Sequence, residues 1–414
     1  MTMAHEDESL KQLFQQEFSR MVAVISHSFG LQHIELAEDI VSETFLVAAE
    51  TWGVKGIPPN PPAWLYKVAK QKAIHYFRRK KIFEQKVAPE VKARQREQTE
   101  PLDFSPQNIR DSQLQMLFAI CDPAIASEAQ IGLALRILCG FGIDEIAGAF
   151  LTNKETINKR LFRAKEKLRT EKVGMELPPA AALPGRLDNV LRIIYLLFSE
   201  GYYSRSQDQI LRKDLCIEAL RLGLLLADYP ETALPKTHAL IALMCFHASR
   251  FDARQTDDAA LILYDQQDPA LWDQELIARG MDFLNRSAQG QELSSYHLEA
   301  MIAYWHCVKT DTMEKWREIL DCYDRLLELH YSPSVALNRI YALYRVHGRG
   351  VALVEAEKLR LENDHFYFLL LGELYAAVDA GKAKLNLQKA YGLARTQTEK
   401  QGIQEKMAAL TKNV

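Results

Sequence analysis

Residues 141–172, FGIDEIAGAFLTNKETINKRLFRAKEKLRTEK, show a clear helical pattern. Its apolar residues recur three and four positions apart, which predicts two helices joined by a short turn. Asn153 lies between them and is a good N-cap for the second helix, because its side-chain oxygen can accept a backbone N–H. The apolar faces of the two helices are Ile143, Ile146, Ala147 and Phe150, and then Ile157, Leu161, Ala164 and Leu168.

The second predicted helix is strongly basic. Residues 154–172 carry eight Lys and Arg against three Glu, a net charge of +5. A short pair of helices with a basic second member is typical of the helix-turn-helix, whose second helix enters the DNA major groove. The alternative is an ordinary helical hairpin with a solvated basic face. The basic residues predicted to face solvent are Lys154, Lys159, Arg160, Arg163, Lys165, Lys167, Arg169 and Lys172.

The composition is that of an ordinary globular protein. A chain of 414 residues allows about two to three domains, and 48% hydrophobic with 25% charged residues is unremarkable. No apolar run approaches the ~18 residues of a membrane helix, and the acidic N-terminus has no signal-peptide pattern, so a cytoplasmic location is expected. The scattered cysteines form no C-x-x-C pair and are predicted to be reduced, buried thiols: Cys121, Cys139, Cys216, Cys245, Cys307 and Cys322.

The net charge of −3 hides a division along the chain. Residues 1–172 carry 24 Lys and Arg against 22 Asp and Glu, whereas residues 173–414 carry 27 against 32. The first part is therefore net +2 and the second net −5. Within the first part the positive charge is concentrated in two predicted helices, and this local charge matters more for nucleic-acid binding than the total.

Two helices are predicted before the first of these basic segments. Residues 8–29 form an amphipathic helix, and residues 34–52 form a second one with an acidic surface, whose alternative interpretation is simple solvation. The loop at 53–62 is too rich in Pro and Gly for regular structure. The residues predicted to face the core are Leu10, Leu13, Phe14, Phe18, Met21, Val22 and Ile25 in the first helix, and Ile40, Val41, Phe45 and Ala48 in the second.

The third predicted helix, residues 63–81, carries seven basic residues and no acidic one. Aromatic residues are interleaved with them, a pattern that favours single-stranded or melted DNA, because bases stack on rings and phosphates pair with cations. The alternative is that the aromatic residues belong to the core, which is expected in any case for Tyr76 and Phe77. Residues that can be buried are Leu65, Val68, Ala69, Ile74 and Phe77.

Three segments in this order resemble the bacterial extracytoplasmic-function (ECF) sigma factors. AEDIVSETFLVAAETW resembles sigma region 2.2, NPPAWLYKVAKQKAIHYFRRKK resembles regions 2.3–2.4, and GIDEIAGAFLTNKETINKRLFRAKEKLR resembles region 4.2. The resemblance implies a dissociable subunit that binds the RNA polymerase core, at the β′ clamp helices and the β flap, together with promoter DNA. It implies that Glu38, Asp39 and Glu43 contact the clamp helices. Because the sequence has no catalytic motif, neither an enzyme activity nor a cofactor is expected.

The resemblance also assigns residues to DNA. The Pro-rich loop ending at Asn60 would capture an extruded base, and the following helix would track the backbone of the −10 strand. Glu155, Thr156, Asn158, Lys159 and Arg163 would face the major groove at the −35 element, with Lys154 and Lys167 on phosphates. The residues implied for the −10 element are Asn60, Trp64, Lys67, Lys70, Gln71, Arg78 and Arg79.

The sequence departs from the common ECF pattern in the turn and at the start of the second helix. Leu151 stands where Gly is common, and Glu155 stands where a small residue is common. AFLTNKETINKRL looks instead like a subgroup of ECF factors with a long helical C-terminal extension. The −35 sequence preference of ordinary members is therefore not transferable, although the expected fold is unchanged.

The implied all-α organisation has three parts and two linkers. These are a region 2 domain at 8–81, a linker at 82–109, a region 4 domain at 110–172, a second linker at 173–184, and a helical extension at 185–414. In the extension, the segments 312–330 with 333–347 and 366–378 with 382–395 predict helix pairs of the size of a tetratricopeptide (TPR) repeat. The extension is interpreted as a degenerate TPR-like solenoid that contacts its own sigma domains or a protein regulator.

No nucleotide-binding or hydrolase motif occurs in the sequence. His297 and His306 are nine residues apart, not the four that place two ligands on one helical face, so no metal site is expected. Two hypotheses remain. The first is a sigma factor that directs RNA polymerase to −35 and −10 elements. The second is a helix-turn-helix regulator with a solenoid interaction domain that does not act as a polymerase subunit.

Overall fold

The computed structural model describes residues 2–87, 102–150, 152–202, 212–254, 262, 267–394 and 397–412. Throughout these residues the regular secondary structure is helical, which confirms the predicted all-α fold class. The chain divides into two compact units, unit 1 (Met1–Leu196) and unit 2 (Leu197–Val414). None of the described helices is both long and apolar enough to cross a bilayer. All six cysteines are buried and unbridged, as predicted.

Unit 1 contains the helices predicted at 8–29, 34–52 and 63–81, and also the predicted helix pair. A π-helical turn, Ala134–Leu138, directly follows the fifth helix. The helices are α1 (Thr2–Phe29), α2 (Ile34–Lys55), α3 (Pro61–Val87), α4 (Pro106–Ile120), α5 (Ser127–Leu133), α6 (Ile143–Ala149), α7 (Lys154–Thr170) and α8 (Leu183–Tyr202), which continues into unit 2.

The core of unit 1 forms around α1, which packs against α2, α3 and α4. Phe18, Met21 and Val22 of α1 are fully buried, as their periodicity predicts, and so are Leu114 and Leu117 of α4. Burial of each such side chain contributes about 1.5–3 kcal/mol. Helices assigned by sequence to separate region 2 and region 4 domains therefore lie in one compact unit.

The buried stripe of helix α3 agrees with the prediction at Leu65 and Ala69 and differs from it further along the helix. Leu65, Ala69 and Ala73, each four residues after the last, are fully buried. Ile74 is 39% exposed and Tyr76 is 46% exposed, so the predictions that these two residues are buried are wrong. The reason is helical phase: Ala73 takes the inner position, which turns residues 74 and 76 away from the core.

The two predicted linkers contain ordered structure. Helix α3 extends to Val87 and α4 begins at Pro106, so both ends of the 82–109 segment are helical, while residues 88–101 lie outside the described residues. Leu102 is buried, and its carbonyl oxygen accepts a hydrogen bond from Lys70 Nζ at 2.8 Å. The segment 173–182 is non-helical, as its prolines predict, although Met175 within it is buried.

The first half of α8 belongs to unit 1, although the sequence assigned it to the extension. Arg186 donates to the carbonyl oxygen of Phe118 at 2.7 Å and pairs with Asp122 at 2.9 Å. Asn189 donates to the carbonyl oxygen of Cys121 at 2.6 Å. The boundary between the units accordingly falls inside α8, at residues 196–197, rather than near residue 185.

In unit 2 most helices pack against their neighbours in the chain, an arrangement consistent with a helical solenoid. The two predicted helix pairs are found as α13 with α14 and α16 with α17. Gly372 of α16 allows a close approach there, because a Cβ atom at this position would lie 2.7 Å from Leu387 Cδ2. The described helices are α9 (Lys213–Ala227), α10 (Pro235–Ala248), α11 (Gln274–Ser287), α12 (Ser295–Trp305), α13 (Met313–Leu329), α14 (Pro333–His347), α15 (Arg349–Leu359), α16 (His365–Tyr375), α17 (Ala380–Leu393) and α18 (Gln397–Lys412).

Candidate nucleic-acid interface

Helix α7 is built as its sequence predicts. The Asn153 side chain caps it by accepting a hydrogen bond from Thr156 N at 2.8 Å. At the start of α6, the Glu145 carboxylate accepts from Gly142 N at 2.7 Å. Leu151, in the turn between the two helices, lies outside the described residues. The apolar stripe of α7 is buried in the core of unit 1, as predicted: Ile157, Leu161, Ala164 and Leu168.

Every residue predicted to contact the −35 element is exposed on α7. These residues are Lys154, Glu155, Thr156, Asn158, Lys159, Arg163 and Lys167. Four of them take part in exposed ion pairs at 2.6 Å: Lys154 with Asp144, Lys159 with Glu155, and Lys167 with Glu171. Exposed pairs of this kind contribute at most about 1 kcal/mol each. Replacing these carboxylates by phosphate groups as partners of the lysines therefore costs little free energy.

On α3, four of the predicted −10 residues are exposed: Lys67, Gln71, Arg78 and Arg79. Lys67, Gln71 and Arg78 are spaced four and seven residues apart, so they form one stripe along the helix. Exposed Ile74 lies in the same stripe. Asn60 is also exposed, and its Oδ1 accepts a hydrogen bond from Ala63 N at 3.1 Å. Asn60 therefore caps α3 in addition to any contact with DNA.

The other two predicted −10 residues have partners within unit 1. Lys70 donates to the Leu102 carbonyl oxygen, as described above. Trp64 is half-buried and lies edge-on to Trp52, with ring centroids 5.3 Å apart. The side chains of Lys80 and Lys81, which the sequence counted in the same basic helix, lie outside the described residues.

Tyr66 of α3 contacts both the segment near Leu102 and helix α1. Its ring stacks on Phe104 with centroids 4.8 Å apart, and its hydroxyl donates to the buried Glu17 carboxylate. Burial and the neighbouring Glu17 raise the pKa of the Tyr66 hydroxyl well above its ordinary value. The tyrosine therefore stays neutral and keeps its proton for this hydrogen bond.

The three acidic residues assigned to the polymerase contact have different environments. Asp39 and Glu43 are exposed on α2, and Glu43 pairs with Lys72 of α3 at 2.8 Å. Glu38 is buried. One oxygen of its carboxylate lies 2.9 Å from Arg136 Nε and the other pairs with Lys165 Nζ.

The sequence interpretation missed the partners of Glu38. Lys165 was expected to face solvent, but its side chain is mostly buried against Glu38. Arg136, the other partner, is the one charged residue in the run IGLALRILCG, residues 131–140. A lone charge in an apolar helix must find a partner, since an unpaired buried charge is very costly. The sequence therefore predicts an ion pair for Arg136 but does not identify its acidic partner.

Unit 2 buries several ionisable side chains. Burial lowers the pKa of His306 to about 3 and holds that of His247 well below its ordinary value, so both imidazoles are neutral. Burial also raises the pKa of the Cys245 thiol to about 12. Over the described part of the chain, no cluster of three or more His, Cys, Asp or Glu could hold a metal ion.

Comparison with known proteins identifies a relative across most of the chain. The sequence is 32% identical over 377 residues to the uncharacterized protein R00370 of Rhizobium meliloti (strain 1021), covering 89% of this chain and 88% of the relative. The chain belongs to the family of this protein. Residues 14–82 match the sigma-70 region 2 family, and residues 186–288 match a family of unknown function, DUF6596. No solved structure matches the chain.

The sigma-70 region 2 match covers α2 and most of α1 and α3. It supports a sigma-70 type of protein, and region 2 implies binding to the RNA polymerase core and to promoter DNA. Members of the sigma-70 family are transcription initiation factors and not enzymes. The match to the family of unknown function begins at Arg186, which is the residue that joins α8 to Phe118 and Asp122.

Proposed function

We propose that this protein is a sigma factor of the ECF type, with a TPR-like helical extension, that directs RNA polymerase core enzyme to promoters with −35 and −10 elements. The observation that carries the proposal is α7. All seven residues implied for −35 recognition are exposed on this one capped helix, and the apolar stripe of the helix is buried. The sigma-70 region 2 match at residues 14–82 precedes it in the order that a sigma factor requires.

In this proposal the exposed side of α7 reads the −35 major groove. Asn158, Lys159 and Arg163 supply donors that suit base edges, since Arg and Lys pair with guanine and Asn with adenine. Lys154 and Lys167 lie nearer the two ends of the helix and neutralise phosphates, which positions the helix without reading sequence. Glu155 and Thr156, in the first turn, complete the contact.

The −10 strand would follow α3 from its N-terminus. Asn60 and the preceding Pro-rich loop take an extruded base, while Lys67, Arg78 and Arg79 neutralise the backbone and Gln71 lies between them. Lys70 joins them once it releases Leu102. Trp64 has the weakest support, because it already packs against Trp52. Asp39, Glu43 and Glu38 would contact the β′ clamp helices, and the region 4 part of unit 1 would contact the β flap.

The extension is proposed to be required for activity. It is net negative, whereas α3 and α7 are basic, so a contact between them has an electrostatic reason. Covalent attachment gives an effective concentration near the millimolar range for a short linker, which fills even a weak site. A protein regulator is the other partner that such a helical surface could take. The proposed function places the protein in the cytoplasm, with polymerase and promoter DNA.

The proposal is tested by transcription with purified components. The full chain with RNA polymerase core should start transcripts at discrete promoters selected from genomic DNA, and core alone should not. A conventional helix-turn-helix regulator would bind DNA without core, and would start no transcripts until a resident sigma factor was added. That result would replace the proposed function with the alternative.

A truncation series tests the extension. A chain ending after Lys172 lacks the hydrogen bonds of Arg186 and Asn189 to unit 1, whereas a chain ending after Tyr202 keeps them. We expect the longer fragment to be folded and to transcribe less than the full chain. If that fragment transcribes better than the full chain, the extension is an inhibitor and the proposal about it is wrong.

A further inference from the structure

The charge of the extension changes sign near its C-terminal end. Residues 173–379 carry 20 Lys and Arg against 30 Asp and Glu, whereas residues 380–414 carry seven against two. The first segment is therefore net −10 and the second net +5. The second segment begins with α17, which shares a hydrophobic core with α16. A positive end on an otherwise negative domain attracts negatively charged partners.

A groove is present in this part of unit 2. Its lining comes from the turn after α15, the start of α16 and the end of α17, and its volume is about 730 Å³. We call it the α16–α17 groove. Phe368, Leu371 and Leu393 supply its apolar surface. A groove of this size and lining can take an apolar side chain of a ligand together with its neighbours.

The packing of α16 against α17 explains where the groove forms. A Cβ atom at Gly372 would lie 2.7 Å from Leu387 Cδ2 and 3.5 Å from the Ala383 carbonyl oxygen, so the two helices are closest there. Towards the start of α16 the larger Tyr367 and Phe368 line the groove instead. The distance between packed helices depends on the size of the side chains at the contact. The groove is therefore a consequence of a well-packed core.

Two exposed basic side chains line the α16–α17 groove. Arg360 comes from the turn after α15, and Lys389 comes from α17, where its Nζ lies 5.2 Å from the centre of the Phe368 ring. Glu362 is the one acidic residue of the lining, which is therefore net +1. Within the described part of the chain neither cation forms an ion pair. Both can therefore accept a carboxylate of a ligand without giving up one of the protein.

The face of α17 at the groove mixes apolar and polar side chains. Leu385, Asn386, Lys389 and Leu393 follow one side of the helix by their spacing. Leu385 is 53% exposed, so the apolar surface continues beyond the groove. Asn386 Nδ2 donates to the Lys382 carbonyl oxygen at 2.9 Å, and the amide has a second N–H and an oxygen that can bond to a peptide backbone.

We propose that the α16–α17 groove binds an acidic peptide segment of a partner protein. A large apolar side chain of the peptide lies against Phe368, Leu371 and Leu393, and flanking carboxylates pair with Arg360 and Lys389. An arginine can bind a carboxylate through two parallel hydrogen bonds. The inference rests on the proposal that the extension takes a protein regulator, and it gives that regulator a docking site and a chemistry.

The lining favours a peptide over a nucleic acid. A single strand needs a row of cations along its backbone and rings exposed for stacking. The groove has two cations, and its ring at Phe368 is only 8% exposed, so this ring offers an edge to pack against and no open face for a base. An apolar floor between two cations suits an apolar side chain with acidic neighbours.

The experiment selects ligands for the full chain from a phage library of random dodecapeptides. Enriched peptides are synthesised with a fluorescein label, and their Kd is measured by fluorescence anisotropy. We expect acidic residues beside a Leu, Phe or Trp. Lys389→Glu and Arg360→Glu should each raise the Kd by about tenfold or more, because a like charge then faces the peptide. A peptide with its acidic residues changed to Lys should bind Lys389→Glu more tightly than the wild type.

The matched control is Lys384→Glu, the same charge change at an exposed lysine of α17 that does not line the groove. It should leave the Kd unchanged. Urea denaturation should give the same midpoint for all three variants, since the substituted side chains are exposed. This measurement separates a lost site from a lost fold.

Three results would overturn the proposal. The first is a selection without acidic peptides, or with peptides that bind both groove variants as tightly as the wild type. The second is binding of an oligothymidylate that Lys389→Glu weakens and Lys384→Glu does not, which would make the groove a nucleic-acid site. The third is self-association of the chain that only the groove variants abolish. No arm uses polymerase, so a chain that fails to transcribe rejects the sigma function and leaves the result for the groove standing.

Discussion

Helices α3 and α7 are the two basic helices of unit 1, and their environments differ. On α7 every residue assigned to DNA is exposed, and the ion pairs of these residues are with exposed acids of α6, of α7 itself or just beyond its end. On α3 some of the assigned residues are exposed to solvent, whereas others contact the protein itself. Lys70 is held by Leu102, and Trp64 packs against Trp52.

The aromatic residues account for most of this difference. Three of the rings of α3 pack inside unit 1: Trp64 on Trp52, Tyr66 on Phe104, and Phe77 on Phe29 with ring centroids 3.6 Å apart. Basic residues interleaved with aromatic ones therefore combine two roles, since the rings fix the helix and the cations face outward. Helix α7 is therefore a preformed surface, whereas α3 is partly occupied by its own chain.

The largest effect should come from the buried leucines that anchor each of the two helices. Leu161→Ala in α7 and Leu65→Ala in α3 each empty a buried site and should lower the free energy of unfolding by about 2–5 kcal/mol. Urea denaturation measures this. Phe162→Ala is the neighbouring control, because Phe162 is 57% exposed, and it should stay within about 0.5 kcal/mol. An equal loss for Phe162→Ala would mean that α7 is anchored through its outer side.

The next effect separates base reading from phosphate contact on α7. Arg163→Ala should weaken binding of holoenzyme to the cognate −35 element by about 1–3 kcal/mol and have little effect on scrambled DNA. Lys167→Ala should weaken binding to all sequences alike and lower the salt dependence of log K by about 0.9. Titrations at several salt concentrations distinguish the two. If Arg163→Ala weakens cognate and scrambled DNA equally, Arg163 is not a base reader.

A smaller effect is expected from Tyr76, the aromatic residue of α3 that is largely exposed. Stacking of an unpaired base on its ring should contribute about 1 kcal/mol, near the lower end for such contacts, because the ring also touches Phe77. Tyr76→Ala should therefore weaken binding to a single-stranded −10 oligonucleotide, and Tyr76→Phe should not. Equal binding by all three proteins would leave α3 with cationic contacts only.

The smallest effect tests whether Lys70 is available to DNA. Lys67 is exposed, whereas Lys70 donates to the Leu102 carbonyl oxygen. Lys67→Ala should lower the salt dependence of −10 strand binding. Lys70→Ala should instead cost about 0.5–1.5 kcal/mol of unfolding free energy through the lost hydrogen bond. A Lys70→Ala protein of normal stability with reduced salt dependence would show that the segment near Leu102 leaves α3 when DNA binds.

Local sequence determined a large part of this protein. The bounds of α6 and α7, the Asn153 cap and the buried face of α7 follow from residues within four positions of each other, where capping and helical periodicity act. The same rules located α1 and α2 and the helix pairs of unit 2. They failed at Ile74 and Tyr76. Periodicity alone was compatible with burial of these two residues, but Ala73 takes the buried position in this turn of α3.

The tertiary structure decided which charges are available. Glu38, Asp39 and Glu43 are equivalent acidic residues in the sequence, yet only Glu38 is buried, with partners from residues 136 and 165. Tertiary packing likewise brought Lys70 to Leu102 and the first half of α8 to unit 1. These contacts join residues 32 to 127 positions apart, and no local pattern encodes the partner. A buried charge is costly without a counter-charge, and which residue supplies that counter-charge depends on the tertiary packing of the chain.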